Sequence, residues 1–344
     1  MRFDERGRNG CEIVLEIFGA GMAGCYLGCL LDRSGYDYVV YEKYKNKHCP
    51  SECAFGWANY SKVKQLCKLI DVNSDDYVLA RPKKAIVNGI EFKIRDVVIF
   101  DKPKFINDLR NEINVVYQVP SSFTADLIVD ATGQYRALFG RNGIKTLSTV
   151  QHKVYLSELD SENIYIYGKP YGYAWAFPLG ADKWHIGAGG FTEEQARALM
   201  DRLKAEYDIG YTVGNMICVC RSPIIWDYGI PFVRKHGNRY IVAIGEAGGF
   251  VSAFGEGNTL ALETAKCLFD AVRDNSNLDD AVRQYEEQVK KETAWLNVQY
   301  DFVRTLNRSW FKALFKVRKV IRIANMRNLD ASFWNGLKLM WRLR

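Results

Sequence analysis

The stretch Glu12-Ile13-Val14-Leu15-Glu16-Ile17-Phe18-Gly19-Ala20-Gly21-Met22-Ala23-Gly24 decides the fold of this 344-residue chain. Its first seven residues form a largely apolar, β-branched run that reads as a buried strand, and an apolar stretch of helical length follows the glycines to Leu31. Gly35 ends that helix, and Tyr38-Val39-Val40-Tyr41 reads as a second strand that stops at Glu42. In Gly19-x-Gly21-x-x-Gly24 the first glycine permits a tight turn and the second lets backbone N–H groups approach a pyrophosphate. The third allows close helix–strand packing. Glu42 lies 23 residues after Gly19, where an acid accepts from a ribose 2′-OH. Ala20, Met22, Ala23 and Lys43 belong to the same dinucleotide site.

An acid at Glu42 favours an unphosphorylated adenosine ribose, hence FAD or NAD rather than NADP. Further along, the buried strand Leu127-Ile128-Val129 runs into Asp130-Ala131-Thr132-Gly133, a second place where backbone can approach a ligand. Another strand leads into Gly245-Glu246-Ala247-Gly248-Gly249-Phe250, and Gly255-Glu256-Gly257-Asn258 opens a helix. Three glycine-rich turns on three strands suit a long, two-ended cofactor such as FAD. Its flavin needs a helix N-terminus against developing negative charge.

A composition of 48% hydrophobic and 25% charged residues excludes a disordered, collagenous or disulfide-scaffold chain, and the length suggests about two domains. Nine cysteines, an odd set scattered through apolar segments, fit a reducing compartment, so the expected location is cytoplasmic. The first ten residues contain no apolar run of signal-peptide type, and no apolar run reaches the about 18 residues of a spanning helix.

The net charge of +7 is a property of the tail. Residues 301–344 hold eleven Lys or Arg against two Asp, a balance of +9. Between Trp310 and Arg327 the spacing predicts a helix with Phe311, Leu314, Phe315, Val317 and Ile321 near one face and most of Lys312, Lys316, Lys319, Arg322 and Arg327 elsewhere. Phe333, Trp334, Leu337, Leu339, Met340 and Trp341 then stand beside Lys338, Arg342 and Arg344. Two readings are open. Residues 310–344 either contact an anionic membrane at the inner face of the cell membrane, each base contributing about 1 kcal/mol, or pack on the body with a solvated basic face. No nucleic-acid module accompanies the tail, and nucleic acid is not an expected partner.

Elsewhere, Ala85 to Phe100 alternates like one hairpin around Asn88-Gly89, and Lys153 to Gly190 reads as a separate antiparallel sheet rich in Tyr and Trp. Phe105–Asn111, Glu193–Tyr207 and Glu256–Asp274 read as helices, and Leu278–Leu306 as one long polar helix. The expected organisation is a discontinuous FAD-binding domain (1–80, 96–150 and 230–290), an antiparallel substrate domain (81–95 and 151–229) and a basic, helical C-terminal segment (291–344). No metal site is expected, because Cys49 and Cys53 lack a second pair or a His partner at suitable spacing. The four dispersed histidines form no nucleophile triad.

Pro170-Tyr171-Gly172-Tyr173-Ala174-Trp175-Ala176-Phe177-Pro178 fits the PxxYxWxFP pattern of the geranylgeranyl reductases, FAD-dependent oxidoreductases of p-hydroxybenzoate hydroxylase type. The chain resembles that family over roughly residues 12 to 270. Gly19, Gly21, Gly24 and Glu42 match its first cofactor motif, Asp130 to Gly133 its middle one, and Gly245, Glu246 and Ala247 through Gly257 its flavin motif. Glu246 stands where the family usually has Asp, and Lys102 in Asp101-Lys102-Pro103 occupies the place of a common Arg. The resemblance implies an α/β fold. A Rossmann-like FAD-binding domain of p-hydroxybenzoate hydroxylase or glutathione reductase type would carry an inserted antiparallel substrate sheet and C-terminal helices.

It also implies an activity, hydrogenation of isolated double bonds of a geranylgeranyl chain by hydride from reduced flavin N5 plus a proton. The expected substrate is an archaeal-type digeranylgeranylglycerol membrane lipid precursor, with ferredoxin or NAD(P)H as electron donor. Cys53, in Cys53-Ala54-Phe55-Gly56, matches the family's Cys-x-x-Gly and is a catalytic candidate beside Tyr173 and Trp175, although a buried structural thiol is the competing reading. Tyr173, Trp175, Phe177 and Pro178 are candidates for substrate binding, the three rings sharing one strand face. Two other functions remain open, a flavin-dependent monooxygenase or halogenase, and a membrane-docked flavoprotein that only transfers electrons.

Overall fold

The computed structural model describes residues 13–45, 56–211, 216–220, 223–327 and 329–343. Ten helices lie among them: α1 (Met22–Arg33), α2 (Tyr60–Lys68), α3 (Lys102–Glu112), α4 (Glu193–Glu206), α5 (Asn258–Asp274), α6 (Leu278–Thr293), α7 (Leu296–Arg308), α8 (Trp310–Leu314), α9 (Val317–Met326) and α10 (Phe333–Arg342).

A six-stranded sheet forms the Rossmann-like core. Its spatial order is Val233–His236, Arg239–Ala243, Leu127–Asp130, Leu15–Phe18, Tyr38–Tyr41 and Val115–Val116. Leu15 pairs with Tyr38 on one side and Leu127 on the other, both in parallel; only the edge strand Val233–His236 is antiparallel. Leu15–Phe18 and Leu127–Asp130 are buried at every position, as strands covered on both faces must be. Helices α1 and α5 pack against each other and on this sheet, and the strand ends converge on the glycine turns.

The second sheet follows the order Met216–Cys220, Thr146–Tyr155, Lys183–Gly190, Gly172–Gly180, Asn163–Lys169, Lys84–Val87, Ile90–Ile94 and Leu329–Asp330, with Ile224–Ile225 paired to the start of Thr146–Tyr155. Its pairings are antiparallel except Asn163–Lys169 with Lys84–Val87. Helix α4 covers one face through Ala196, Leu199, Met200 and Leu203 and starts in a capping box between Thr192 and Gln195. The opposite face turns toward the Rossmann-like core. The chain is thus an α/β fold with a parallel core, an additional antiparallel sheet and C-terminal helices.

Three local expectations are corrected. Ala85–Phe100 is not one hairpin: after Ile90–Ile94 the chain bends, and Val97–Phe100 joins Gly56–Ala58 and Val78–Ala80 in a third sheet. The bend is fixed by Asp96, whose carboxylate accepts from Ser61 N at 3.0 and 2.9 Å, and by the stacking of Phe100 on buried Trp57 at 4.0 Å. The helix expected over Leu278–Leu306 breaks at Ala294–Trp295 into α6 and α7. The helix expected from Trp310 breaks at Phe315–Lys316, so α8 and α9 bury Ala313, Val317 and Ile323 while Phe311 and Phe315 face outward.

Candidate active site

At the end of the first strand Gly19 adopts φ +105°, and a β-carbon there would lie 2.5 Å from the Ala131 carbonyl oxygen. One on Gly24 would sit 2.0 Å from the Gly19 oxygen, so this position admits no side chain. Gly21 is different: nothing lies within 4 Å of its β-carbon position, and it faces a cavity of about 1090 Å³. Gly21 is also the N-cap of α1 and offers no side-chain cap, which leaves the first-turn N–H groups available to a ligand. This open cradle fits an approaching pyrophosphate.

Glu42 holds the turn from the neighbouring strand. Its carboxylate accepts from Ala20 N at 3.0 Å and Tyr44 N at 3.0 Å. Arg110, on α3, completes the arrangement by donating through Nε to the Ala20 carbonyl at 2.7 Å while Nη2 lies 3.6 Å from Glu42. Lys43 and Lys102 also line the cavity.

The middle turn is braced from below. Buried Asp130 accepts from Thr132 N, Thr132 Oγ1 and Leu138 N at 3.1, 2.6 and 2.9 Å, so its carboxylate is used internally while Ala131, Thr132 and Gly133 line the cavity. Arg136, buried and with its guanidinium pKa lowered by burial, donates to the carbonyls of Ala247 and Pro231, tying this turn to the Gly245 turn. Glu246 lines the cavity and accepts from Ile225 N at 2.9 Å. Gly257 is the N-cap of the 17-residue α5, so that helix directs its N-terminus, with its partial positive charge, at the cavity. Glu256 caps it by accepting from Thr259 N at 3.0 Å and meets Arg327, from the end of α9, at 3.4 Å. Arg327 also lies 3.9 Å from Glu263, whose carboxyl is raised to about 7 by burial against the opposing pull of Arg327.

The far wall is the antiparallel sheet. Tyr173, Trp175 and Phe177 project from one face of Gly172–Gly180 into the cavity, with ring centroids 5.4 and 6.2 Å apart. Trp175 is only 5% exposed, and its indole covers Gly187 on the next strand. Its Nε1 donates to His185 Nδ1 at 3.2 Å, a bond that needs an unprotonated acceptor. Burial first, then Lys153 and His152, pushes His185 down to about 3, so the imidazole is neutral. Tyr173 Oη lies at Gly255, and burial raises the phenol's pKa, keeping its proton in place.

Across Gly187 from Trp175 stands Gln151, in register with it. Gln151 is buried and lines the cavity; its Nε2 donates to Thr149 Oγ1 at 3.0 Å and its Oε1 has no hydrogen-bond partner. On the strands beside this wall the lining side chains Ala85, Val87, Ile94, Val97, Ile164 and Ile166 are apolar.

One cavity therefore brings together Gly19, Gly21, Met22, Ala23, Glu42, Lys43, Lys102, Ala131, Thr132, Gly133, Glu246, Gly255, Gly257, Asn258, Tyr173, Trp175 and Phe177. Gly24, Gly245 and Ala247 support the turns from behind, and Ala20 takes part through its backbone. Pro178 lies outside the cavity lining: alternation turns it to the opposite face of the strand, across from Trp184. Cys53 lies outside the described residues. The thiols of Cys25, Cys29 and Cys67 are buried and pushed up by that burial, Cys29 to about 11 and Cys67 to about 12, as suits packing residues. Among the described residues no three His, Cys, Asp or Glu side chains cluster as metal ligands. Arg110, Gln151, His185 and Arg327 are site residues that the motifs did not point to.

No family model matches the sequence, and no curated protein matches it. Solved structures do match in fold. A geranylgeranyl bacteriochlorophyll reductase-like protein from Thermoplasma acidophilum is 15% identical, with a TM-score of 0.71 over 95% of this chain and 95% of that one. The flavin-dependent brominase Bmp2 is 16% identical, with a TM-score of 0.65 over 94% of this chain and 93% of its own. PqsL from Pseudomonas aeruginosa, a probable FAD-dependent monooxygenase, is 18% identical, with a TM-score of 0.61 over 86% of this chain and 96% of its own. This chain shares its architecture with all three.

Proposed function

We propose that this chain is an FAD-dependent reductase that hydrogenates isolated double bonds of a geranylgeranyl chain in an archaeal-type membrane lipid precursor. The observation that carries this reading is the continuity of the cavity. An open glycine cradle and the N-terminus of α5 line one side, and a wall of aromatic rings flanked by apolar side chains of the antiparallel sheet lines the other.

FAD fits the residues present. The Gly21 turn and the start of α1 would receive the pyrophosphate, Glu42 the adenosine ribose, and the start of α5 the electron-rich end of the flavin. When bound and reduced, FAD supplies a hydride. The chain's own part is to bury the alkene, exclude water and provide the balancing proton. Apolar burial contributes about 25 cal/mol per Å² and aligns a hydrocarbon chain lying along Trp175 and Phe177. Tyr173 holds a proton at Oη inside the cavity, where burial favours the neutral phenol, and is the proton donor we assign.

The test is an anaerobic single turnover. Protein carrying reduced FAD is mixed with a digeranylgeranylglycerol lipid, and product mass is read together with flavin absorbance. The expected result is reoxidation matched by a gain of one hydrogen pair per flavin. Reduced protein that stays reduced in the presence of lipid overturns the proposal.

A second reading, an aromatic monooxygenase or halogenase, is favoured by one observation, the buried Gln151 amide with an open acceptor on the aromatic wall. A hydrocarbon does not use such a group, whereas a phenol or pyrrole does. Hydroxylated or halogenated aromatic product formed in air, without lipid reduction under nitrogen, would establish it.

A further inference from the structure

The five most exposed large apolar side chains among the described residues all lie within 311–341: Phe315 (77%), Trp334 (70%), Met326 (68%), Phe311 (66%) and Trp341 (66%). A terminal segment simply packed on the body would hide these and leave only its bases in water. Here the inward positions are already filled, by Ala313, Val317, Ile323, Gly336 and Met340. Trp334, Lys338 and Trp341 stand at i, i+4 and i+7 on the solvent face of α10, which places the two indoles about 10 Å apart along it. Phe311 on α8 and Phe315 at its C-cap are one turn apart with exposed Lys312 between them. Helix α9 exposes Arg318, Lys319, Arg322 and Met326.

The helices form one assembly. Trp310 on α8 meets Trp341 edge-on at 6.2 Å and donates to the Met340 carbonyl at 2.7 Å, while Arg318 on α9 lies 5.4 Å from the Phe333 ring of α10. From residue 302 onward the sequence holds a single acid, Asp330, and that carboxylate is held by Arg95 at 2.7 Å.

From this we infer that α8, α9 and α10 dock on an anionic lipid bilayer, inserting the exposed rings at headgroup depth with Lys and Arg against the lipid phosphates. The charge selects this occupant. A second copy would bring the same positive charge to the face, and among the described residues no helix is long and apolar enough to span a membrane instead. Exposed indoles beside lysines are the composition that headgroup regions accommodate. The helices also sit on the wall of the cavity: Ile321 and Leu339 pack in the same apolar cluster as Ile94, Val97, Ile164 and Phe177, which line it. The inner sides of the docking helices thus rest on residues that line the cavity. The inference does not depend on the reaction assigned above.

The experiment uses the full chain with vesicles of phosphatidylcholine alone and vesicles enriched in phosphatidylglycerol, with partitioning read by co-sedimentation. Binding is expected to be at least about tenfold stronger to the anionic vesicles and to weaken with salt. Trp334→Ser combined with Phe315→Ser is expected to lower that partitioning about tenfold, and Arg322→Glu combined with Lys338→Glu to abolish the preference for anionic lipid. Both variants should keep the parent melting temperature, since all four side chains are exposed. Equal partitioning to both vesicle types overturns the inference, as does parent-like binding by the ring variant. So does sedimentation showing that the ring variant converts a dimer to monomer, or tight binding to duplex DNA that the ring variant retains while vesicles bind weakly.

Discussion

The indole of Trp175 lies over Gly187 so closely that a β-carbon on the glycine would meet indole Cζ2 at 2.2 Å. The wall of the cavity is flat at this point because the neighbouring strand has no side chain there. Gly187→Ala should therefore push the indole off its seat, at a cost of about 1–3 kcal/mol in stability. If Trp175 aligns the substrate, turnover should fall about a hundredfold while the flavin absorbance of the purified protein stays unchanged. Denaturant titration and single-turnover rates check the two parts separately.

His185 makes stability depend on pH in a defined direction. Its imidazole titrates near 6.5 in the unfolded chain and near 3 when folded, so the unfolded state takes up the proton first as acid is added. The stability is fully present above the unfolded value and drains as pH falls through the window toward the folded one, amounting to about 2 kcal/mol by about pH 5. His185→Gln keeps an acceptor for the Trp175 N–H but does not titrate. The stability gap between parent and variant should shift by that amount in the variant's favour between neutral and acid pH, read by urea unfolding.

Glu263 acts in the opposite sense. Its folded carboxyl is raised from 4.5 to about 7, so the folded state holds the proton more tightly, and this contribution is present at low pH and lost as pH rises through the folded value. Glu263→Gln cannot charge. Relative to the parent it should gain on the order of 3 kcal/mol between acid and mildly alkaline conditions, measured by unfolding at both.

Glu42 and Arg110 jointly fix the first turn, one accepting from Ala20 N and the other donating to the Ala20 carbonyl. Glu42→Ala and Arg110→Met should each weaken FAD binding about tenfold to a hundredfold in a fluorescence titration, the fold being retained. Equal affinity in both variants would remove this turn from the proposed cofactor site.

Gln151→Leu removes a buried acceptor that has no partner. It also removes the donation to buried Thr149 Oγ1, so the ligand-free protein should lose about 1 kcal/mol by thermal unfolding. A gain in stability instead would show that the open acceptor outweighs that bond.

The first βα unit was legible in the sequence because its determinants are local: the roles of Gly19, Gly21 and Gly24 are fixed within six residues, and Glu42 follows at the end of the next strand. The ring wall was legible for a similar reason, since alternation alone puts Tyr173, Trp175 and Phe177 on one face and, by the same rule, sends Pro178 to the other. Arg110, Gln151 and Arg327 were not legible. Arg110 and Arg327 meet partners distant in sequence, Ala20 across 90 residues and Glu256 across 71, while Gln151 takes its place beside Trp175 only through the pairing of three strands, and no spacing rule encodes such meetings. The tail shows the other way a pattern fails. A helical wheel drawn through Trp310–Arg327 assumes one axis, but the chain turns at Phe315–Lys316, and the face that looked continuous divides into an inner and an outer part.

The short strand Leu329–Asp330 pairs with Ile94 and Lys93 and covers that end of the edge strand Ile90–Ile94 in the nine-stranded sheet. Without it, an isoleucine-rich strand would present its unsatisfied amides and carbonyls to any neighbour able to pair with them. Shortening the chain after Arg327 would therefore do more than remove α10. It would create a template for intermolecular strand addition, and the shortened protein is expected to precipitate or form filaments.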